Sequence, residues 1–504
     1  MDIILSLGAG FLEVFQPMNL LVMFIGLVLG MLVAVLPGLT LVMGVVLALP
    51  FTYTMGLLPS IILLTAMYVS GTYGGAFTSI LFRIPGEPID VPLLWDGYTM
   101  ARNGQPAKAL GWTLFAALCG GLLSATVMVF LSHPVAKFAL TLSSPEYFAI
   151  LLFGMSSVVS LGGGSITNAF ISLFIGLLLS TVGVDSIYGA ERFAFGVPFL
   201  QDGIEYLLVM VGAYGLGEVF TRLEKGFKGD DKAGNSDGKI ATEFPTLAEV
   251  GQLKGTFFRS SILGIIIGII PGAGATIASF VAYGAESQYG KRRKEMGSGI
   301  AEGIVAPQTA ATSSVGGALI PLLTMGIPGS GATAIILGAF LLHGIQPGPQ
   351  IFVSSGPMVY AIFASLFVSI IGMCILGYFA IKPLVKVLDM PEPVISAFVV
   401  MFCFIGAFAA RNNLSDLYVI TAFGVLGYLF EKFKFPIAPL VLGSILGPLA
   451  ESAFMTMMVS ENNDWTVLIA RPVSATVMVM AVIALVYPIH RQLRERRAAR
   501  ADKP

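Results

Sequence analysis

The chain has 504 residues, of which 56% are hydrophobic and only 11% are charged, and its mean hydropathy is +0.87. Soluble domains carry about 25% charged residues, so this composition predicts an all-α polytopic membrane protein. The formal net charge is −1 and there is no basic or acidic domain, which argues against a nucleic-acid partner.

The first half opens with a long uncharged stretch. Residues 14–82 contain no Asp, Glu, Lys, Arg or His. A spanning helix needs about 20 apolar residues, so this stretch has room for three passes, or for passes mixed with hairpins. The start of the chain lacks the positive region and cleavage site of a secretory signal, so we expect its first apolar segment to be retained.

Two Pro-Gly phrases interrupt the first half, at 36–40 (Leu-Pro-Gly-Leu-Thr) and at 84–88 (Ile-Pro-Gly-Glu-Pro). Proline removes a backbone donor and clashes with the preceding turn, so each phrase predicts a broken helix. In hydrocarbon such a break is tolerated only inside protein or beside a wet cavity. Broken helices at matching positions of two halves indicate a transporter's binding site.

Three charged residues surround the second phrase: Arg83, Glu87 and Asp90. Charge inside a membrane is costly and by default functional. Arg83 can pair with an anionic substrate, or with Glu87 or Asp90 so that the loop is tied. The internal pair is favoured because both carboxylates follow Arg83 closely in the chain. All three residues are candidates for an ion pair or for cation coupling.

A charged, glycine-rich segment separates the two halves. We expect a first membrane repeat at 1–221, a cytoplasmic linker at 222–259, a second repeat with C-terminal helices at 260–490 and a basic cytoplasmic tail at 491–504. The apolar runs predict roughly twelve membrane segments, some of them broken.

The second half repeats the Pro-Gly phrase at 270–274 (Ile-Pro-Gly-Ala-Gly) and at 327–331 (Ile-Pro-Gly-Ser-Gly). Small residues four apart on a helix permit close helix approach, and such residues also match between the halves. The matched positions, first half before second, are Gly30 and Gly264, Ala34 and Gly268, and Gly74-Gly75 and Gly316-Gly317. The ordered series predicts an internal duplication.

Charge asymmetry predicts that the two repeats are inverted. Cytoplasmic loops are enriched in Lys and Arg, which places the linker, the 291–294 cluster and the tail inside, whereas no Lys or Arg precedes Arg83. Arg259 and Lys291 then lie on one side with about thirty residues between them, but two full passes need about 40. Residues 260–290 are therefore predicted to form a re-entrant hairpin or a pair of short tilted arms.

The broken helices suggest where a substrate binds. A half-helix N-terminus suits an anion, whereas unwound carbonyls at a helix end suit a cation such as Na⁺. Glycines let a ligand approach the backbone, and hydroxyl groups can cap a helix or contact a carboxylate. The hydroxyl-rich run at 309–317 and its counterpart at 70–75 fit tight helix packing or a polar cavity lining equally well. The predicted substrate-binding residues are Pro37, Gly38, Thr40, Tyr73, Gly74, Gly75, Pro85, Gly86, Pro271, Gly272, Ala273, Gly274, Thr276, Thr312, Ser313, Pro328, Gly329, Ser330, Gly331 and Thr333.

No enzymatic site is predicted. The three cysteines lie in apolar runs, the three histidines are isolated, and neither a CxxC pair nor a GxxxxGK[ST] phosphate loop occurs. Transport would therefore depend on an ion gradient or on another subunit. The alternatives are a membrane-embedded enzyme, which should gather acidic or histidine residues, and a non-transporting scaffold, which would not explain the repeated helix breaks.

Eight ordered motifs span nearly the whole chain. They are Leu36-Pro37-Gly38, Tyr73-Gly74-Gly75, Ile84-Pro85-Gly86, Asp96-Gly97-Tyr98, Thr181-Val182-Gly183-Val184-Asp185, Pro271-Gly272-Ala273-Gly274-Ala275-Thr276, Gly326-Ile327-Pro328-Gly329-Ser330-Gly331 and Gly424-Val425-Leu426-Gly427-Tyr428. In this order they resemble the large membrane subunit of the bacterial tripartite tricarboxylate transporters.

The resemblance implies a secondary importer of the bacterial inner membrane. Its substrate would be a tricarboxylate, a dicarboxylate or an aromatic carboxylate. Its partners would be a small membrane subunit and a periplasmic solute-binding protein. The resemblance further implies an ion-transporter-like fold, an elevator-like movement, coupling to Na⁺ or H⁺, and no other cofactor.

Two positions depart from the family pattern. Thr40 stands where members often have glycine. Gln308 follows Ala-Pro where members often have glutamate, and their paired asparagines are missing nearby. Either Thr312 and Ser313 substitute for these groups, or the substrate differs from citrate.

Overall fold

The computed structural model describes residues 3–36, 39–83, 85–161, 165–184, 189–226, 242–380, 383–384, 392–411 and 413–501. Within these ranges the protein is almost entirely helical. The only strands found there, β1 (Gly183–Val184) and β2 (Glu191–Arg192), form one short antiparallel pair. The predicted all-α class is confirmed apart from this pair.

The helices are numbered here in chain order. Those before the predicted linker are α1 (Ile3–Val14), α2 (Pro17–Val35), α3 (Leu41–Ala48), α4 (Leu57–Gly74), α5 (Ala76–Phe82), α6 (Leu93–Arg102), α7 (Pro106–Ala139), α8 (Ser144–Leu161), α9 (Ile166–Ser180), α10 (Pro198–Gln201), α11 (Tyr206–Met210) and α12 (Gly217–Lys225). The later ones are α13 (Leu247–Ile269), α14 (Gly274–Tyr289), α15 (Glu302–Met325), α16 (Gly331–Leu342), α17 (Ile351–Ser354), α18 (Gly356–Phe379), α19 (Glu392–Arg411), α20 (Ser415–Lys432), α21 (Ile437–Ser460), α22 (Val467–Ala470) and α23 (Pro472–Ala501).

Some helical stretches are long and apolar enough to cross a membrane. In the described ranges there are six: Pro17–Val35, Leu57–Phe82, Pro106–Ala139, Tyr206–Glu224, Gly356–Phe379 and Ile437–Ser460. Shorter apolar helices lie between them, such as Gly331–Leu342. The chain is therefore a multi-pass membrane protein, and the total of about twelve segments stays a prediction.

The protein divides into two compact units, and each unit draws on both halves of the sequence. The first comprises Met1–Lys137 and Lys225–Phe402, and the second comprises Phe138–Glu224 and Cys403–Pro504. All four Pro-Gly phrases belong to the first unit.

Two helices form the interior of the first unit. Every residue of α15 from Glu302 to Thr324 is buried, as is every residue of α4 from Ser60 to Gly74. The hydroxyl groups of α15 are partly satisfied within the helix: Ser314 donates to the Ala311 carbonyl at 2.7 Å. Small and hydroxyl-bearing residues thus allow a helix with polar side chains to be buried on all sides.

The second unit is held by close helix packing and ion pairs. In it α9 and α21 cross at two glycines: a Cβ at Gly443 would lie only 2.6 Å from the Leu173 carbonyl oxygen. Arg192 pairs with Glu451 at 2.5 Å, which ties the strand pair to α21. The glycines permit the crossing because they have no side chain to separate the backbones.

Helix α13 begins inside the segment predicted as a linker. Thr246 is its N-cap, and the Glu249 side chain accepts from the Thr246 amide at 2.9 Å, which completes a capping box. Lys108 at the start of α7 pairs with Glu249. The first turns of α13 carry charged residues that make polar contacts. The apolar run therefore begins later in the chain than the helix does.

Candidate substrate site at the broken helices

The third and fourth Pro-Gly turns meet inside the first unit. The Gly272 amide donates a 3.1 Å hydrogen bond to the Gly329 carbonyl. Gly272 and Gly274 have φ values of 80° and 62°, a conformation that other residues adopt only at a cost. Pro271 and Ala273 of the same turn are buried. The end of α13 is thereby held against the segment that precedes α16.

Ser330 begins α16 with a reciprocal capping box. Its hydroxyl accepts from the Thr333 amide at 3.3 Å, and the Thr333 hydroxyl accepts from the Ser330 amide at 2.8 Å. The Ser330 hydroxyl also donates to the Tyr68 phenol of α4 at 3.0 Å. The helix start is fixed in place, and the other amides of its first turn are the kind of donor that binds anions.

Residues from both sequence halves approach this helix start. A Cβ at Gly331 would lie 3.1 Å from Val42 Cγ2 in α3, and one at Gly274 would lie 3.7 Å from Ser330 Cβ. The segments after the first, third and fourth phrases therefore lie side by side.

The first phrase is only partly described. Pro37 and Gly38 lie outside the described residues. Thr40 caps α3, because its hydroxyl accepts from the Met43 amide at 3.2 Å. Thr40 is itself exposed, as is Pro85 of the second phrase.

The second phrase carries two inward-facing carboxylates. The Leu41 amide at the start of α3 donates to Glu87 Oε1, and the Glu87 amide donates to Asp90 Oδ2 at 3.1 Å. Asp90 is 1% exposed, and among the described residues its Oδ1 atom has no hydrogen-bond partner. An unpartnered buried carboxylate oxygen is costly, so this turn favours a bound cation or a proton there.

Arg83 does not pair with these carboxylates. It ends α5 in the left-handed conformation, with φ of 60°, and its guanidinium lies 5.5 Å from the centre of the Tyr98 ring. The predicted ion pair with Glu87 or Asp90 is therefore wrong for this structure. The reversal at Arg83 directs its side chain outward, while backbone amides hold the carboxylates inward.

The glycines of the two halves make corresponding contacts. A Cβ at Gly74 would lie 2.8 Å from the Met31 carbonyl oxygen, and one at Gly317 would lie 2.6 Å from the Ile265 carbonyl oxygen. A Cβ at the other glycines of this set would overlap a carbonyl oxygen. In the first half, a Cβ at Gly30 would overlap the carbonyl of Met67 and one at Gly86 that of Ala34. In the second half, a Cβ at Gly264 would overlap the carbonyl of Ala310 and one at Gly329 that of Gly268. Each of these contacts in the second half matches one in the first half. Along each helix, the sequence offset between the matched residues of the two halves is constant.

Four predicted residues lie away from the turns or make no contact with them. Tyr73 is buried, and its ring packs edge-on against Phe77 at 5.1 Å. Ser313 donates to the Gly120 carbonyl of α7 at 3.0 Å, and Thr312 donates within α15. Thr276 is partly buried in the first turn of α14. For Tyr73 and Ser313 the structure shows helix-packing contacts, and for Thr312 it shows a hydrogen bond within its own helix.

Gln308 ties α15 to α4. Its amide nitrogen donates to the Thr72 carbonyl at 3.1 Å and to the Thr312 hydroxyl at 3.3 Å. An ionised carboxylate has no proton to donate to a carbonyl oxygen. The amide of Gln308 therefore makes a contact here that an ionised glutamate could not make.

Sequence reasoning missed Asp96 as an organising residue. It is fully buried in α6 and accepts from the amides of Gly297, Gly299 and Ile300 at 2.8–3.0 Å. The Tyr283 hydroxyl of α14 also donates to it, at 2.9 Å. The one signal in the sequence is the Asp96-Gly97-Tyr98 motif, which does not reveal partners two hundred residues away.

The described residues include no group of three or more His, Cys, Asp or Glu side chains that could hold a metal ion. A Na⁺ ion beside Glu87 and Asp90 would have to complete its coordination with backbone carbonyls and hydroxyl oxygens. Such ligands are available at the unwound helix ends.

A multi-pass helical protein whose broken helices meet in a buried interior is built like a membrane transporter. Comparison with known proteins places the chain within that class. The family model described as "Tripartite tricarboxylate transporter TctA family" matches residues 20–442. The chain belongs to this family, a family of transporters.

Two relatives from Agrobacterium vitis are similar to the chain. One, an uncharacterised 52.8 kDa protein of the TAR-I ttuC' 3' region, is 34% identical over 497 residues, covering 99% of this chain and 98% of the relative. The other, an uncharacterised protein of the TAR-II ttuC' 3' region, is 34% identical over 234 residues, covering 46% of this chain and 97% of the relative. No solved structure matches.

Proposed function

We propose that this protein is the translocating subunit of a secondary carboxylate importer in the bacterial inner membrane. Family membership supports a tricarboxylate transporter component. The observation that carries the site is the convergence of the Gly272–Gly329 contact, the capped start of α16 and the start of α3. Helix N-termini bind anions, so the carboxylate groups of the substrate would lie at the amides of these starts.

The transport movement would use two inverted repeats. The repeated glycine contacts of α2 with α4 and of α13 with α15 support duplication, and the distribution of Lys and Arg supports inversion. In each repeat the Pro-Gly turn would join two arms of a helical hairpin, either re-entrant or short and tilted. An elevator-like displacement of the first unit would carry the site from one side of the membrane to the other.

The coupling ion would be Na⁺ or H⁺, bound beside Glu87 and Asp90. Support comes from the Asp90 Oδ1 atom, for which no described residue is a hydrogen-bond partner, and from the Leu41 amide that donates to Glu87. A cation that neutralised these carboxylates would also reduce their repulsion of an anionic substrate nearby. Substrate and cation would then bind together.

The protein would work with two partners: a small membrane subunit and a periplasmic solute-binding protein that delivers the carboxylate. Both follow from the tripartite nature of the family. The C-terminus would be cytoplasmic, because the tail from Arg491 onward is rich in arginine.

Uptake tests this function. Inside-negative vesicles containing the chain and its two partners should accumulate labelled citrate, succinate or benzoate when an inward Na⁺ or H⁺ gradient is imposed. Vesicles without the chain are the control. Failure to accumulate any of the three under either gradient would refute the proposed function, and accumulation that ignored both gradients would refute coupling.

A further inference from the structure

An open cleft of about 550 Å³ lies in the first unit, outside the turn cluster. It is lined by charged, polar and aromatic groups, among them Arg83, Arg102, Trp95, Tyr98 and Tyr283. Cavities of this size hold small-molecule ligands. Three elements form its walls: the end of α5, the length of α6 and the middle of α14.

The cleft is positively charged. Neither Arg83 nor Arg102 has an ion pair or a hydrogen bond with any described residue; Arg83 has only the face of Tyr98, at 5.5 Å. Arg102 stands in the last turn of α6. Two guanidinium groups without an anionic partner in one cleft are suited to oxyanions, which they can bind in a bidentate manner.

The acidic side chains of α6, α14 and the loop after α14 have partners other than these two arginines. Asp96 lies behind the wall, and its oxygens accept from three backbone amides and from Tyr283. In the adjoining loop Arg292 donates to Glu295 at 2.6 Å, which lowers the pKa of that carboxyl below its usual value. Glu286 pairs with Arg259. These acids are already engaged with other donors.

The aromatic wall is preorganised. The Trp95 and Tyr283 rings lie with their centroids 4.5 Å apart, and Phe280 is 6.0 Å from Trp95. Asp96 fixes the Tyr283 hydroxyl from behind. A rigid wall reduces the side-chain entropy that a ligand would otherwise have to restrain.

We propose that this cleft is a second carboxylate site, which binds the transported di- or tricarboxylate on its release path; this rests on the proposed function. Arg83 connects the two places, because it immediately precedes the Ile84-Pro85-Gly86-Glu87 turn. Gly297, which also lines the cleft, lies in the loop that carries Lys291 and Lys294. Two guanidinium groups favour a ligand with two or more carboxylates over a monocarboxylate.

Trp95 reports on the cleft directly. The chain has three tryptophans, so W112F/W465F leaves Trp95 as the sole indole fluorophore. With this parent reconstituted in nanodiscs, added citrate should change the Trp95 emission in a saturable way. The apparent affinity should be highest for citrate, lower for succinate and lowest for acetate. No saturable change, or no preference for citrate over acetate, would overturn the proposal.

A matched pair of variants tests the arginines. R83Q/R102Q should weaken citrate binding by about tenfold or more, because charge-assisted hydrogen bonds are lost. K291Q/K294Q removes the same amount of charge from the neighbouring loop, outside the cleft, and should bind citrate as the parent does. Equal affinity in R83Q/R102Q and the parent would overturn the proposal.

Lipid headgroups offer the same oxyanion chemistry and are tested in parallel. The titration is repeated in phosphatidylcholine nanodiscs with and without phosphatidylglycerol. If phosphatidylglycerol changes the Trp95 emission through the arginines and citrate does not, the carboxylate assignment is overturned.

Uptake by the same variants separates the two proposals. If the parent binds citrate but does not take it up, the proposed function alone is refuted. If R83Q/R102Q takes up citrate normally and Trp95 does not respond to citrate, the cleft site alone is refuted.

Discussion

Gly329 illustrates how single residues determine the turn cluster. A Cβ there would overlap the Gly268 carbonyl oxygen and would lie 2.7 Å from Ala318 Cα. Both neighbours are backbone atoms, so they cannot rotate away as a side chain would. The close contact between the turn that precedes α16 and helix α13 therefore requires glycine at position 329.

We expect Gly329→Ala to reduce carboxylate uptake by about tenfold or more, since overpacking costs about 1–3 kcal/mol and would shift the turn. Gly284→Ala is the matched control, because a Cβ at Gly284 meets nothing within 4 Å. Uptake in vesicles, normalised to the inserted protein, is the measurement. Normal uptake by Gly329→Ala would show that the turn is not part of the transport site.

Glu87 provides a test of coupling. Glu87→Gln keeps an oxygen that can accept from the Leu41 amide but removes the titratable charge. We expect uptake to become independent of the coupling cation, so that the response to the Na⁺ or H⁺ gradient is lost in the variant. The response is measured by imposing each gradient separately. A gradient response equal to that of the unmodified protein would exclude Glu87 from coupling.

At the scale of elements, α16 depends on its capping box and on its anchor to α4. Removing an N-cap hydroxyl costs about 1 kcal/mol, and Ser330→Ala would also leave the Tyr68 phenol without its partner. We therefore expect Ser330→Ala to lower the thermal unfolding temperature of the purified protein, and Ser330→Thr to restore most of the loss.

Ser355 is the control for that measurement. It stands at the N-cap of α18 but makes no side-chain cap hydrogen bond, so Ser355→Ala should leave the unfolding temperature nearly unchanged. If both alanine substitutions changed the unfolding temperature equally, the hydrogen bonds of Ser330 would contribute no more stability than a serine without a cap hydrogen bond.

At the scale of the whole molecule, inversion of the repeats makes a topological prediction. If each Pro-Gly turn ends a hairpin that returns to its starting side, the exposed Thr54 and Lys294 lie in loops on opposite sides of the membrane. In a protein with its three cysteines replaced, Thr54→Cys should react with an impermeant maleimide from the periplasm only, and Lys294→Cys from the cytoplasm only. Labelling from the same side would contradict inversion.

Whether a structural feature could be predicted from the sequence depended on how far apart in the chain the interacting residues lie. The apolar runs predicted a largely helical membrane protein, because hydrophobic length is a local property. The matched glycines predicted close contacts that do form, although Gly74 corresponds to Gly317 rather than to Gly316, since glycine at a helix crossing has one common use. The start of α13 was misplaced because a capping box can precede the apolar run.

Site details were less predictable from the sequence. The hydroxyl-rich run that contains Thr312 and Ser313 fits a polar lining and helix packing equally well from sequence, because a hydroxyl can bond its own helix or a neighbouring carbonyl, as these two do. Arg83 was expected to pair nearby, but its positive φ directs the side chain away. These outcomes depend on backbone direction, which residue spacing does not specify.

The sequence alone determined that this is a helical membrane protein with four broken helices and a family-specific order of motifs, because composition, proline and glycine act locally on the chain. Only the tertiary structure decided which turns meet, that Asp96 and Tyr283 brace one wall of a cleft, and that Arg83 and Arg102 line it with no anionic partner in the described part of the chain. Those contacts join residues up to about two hundred positions apart, and packing of the whole unit, rather than any local preference, selects them.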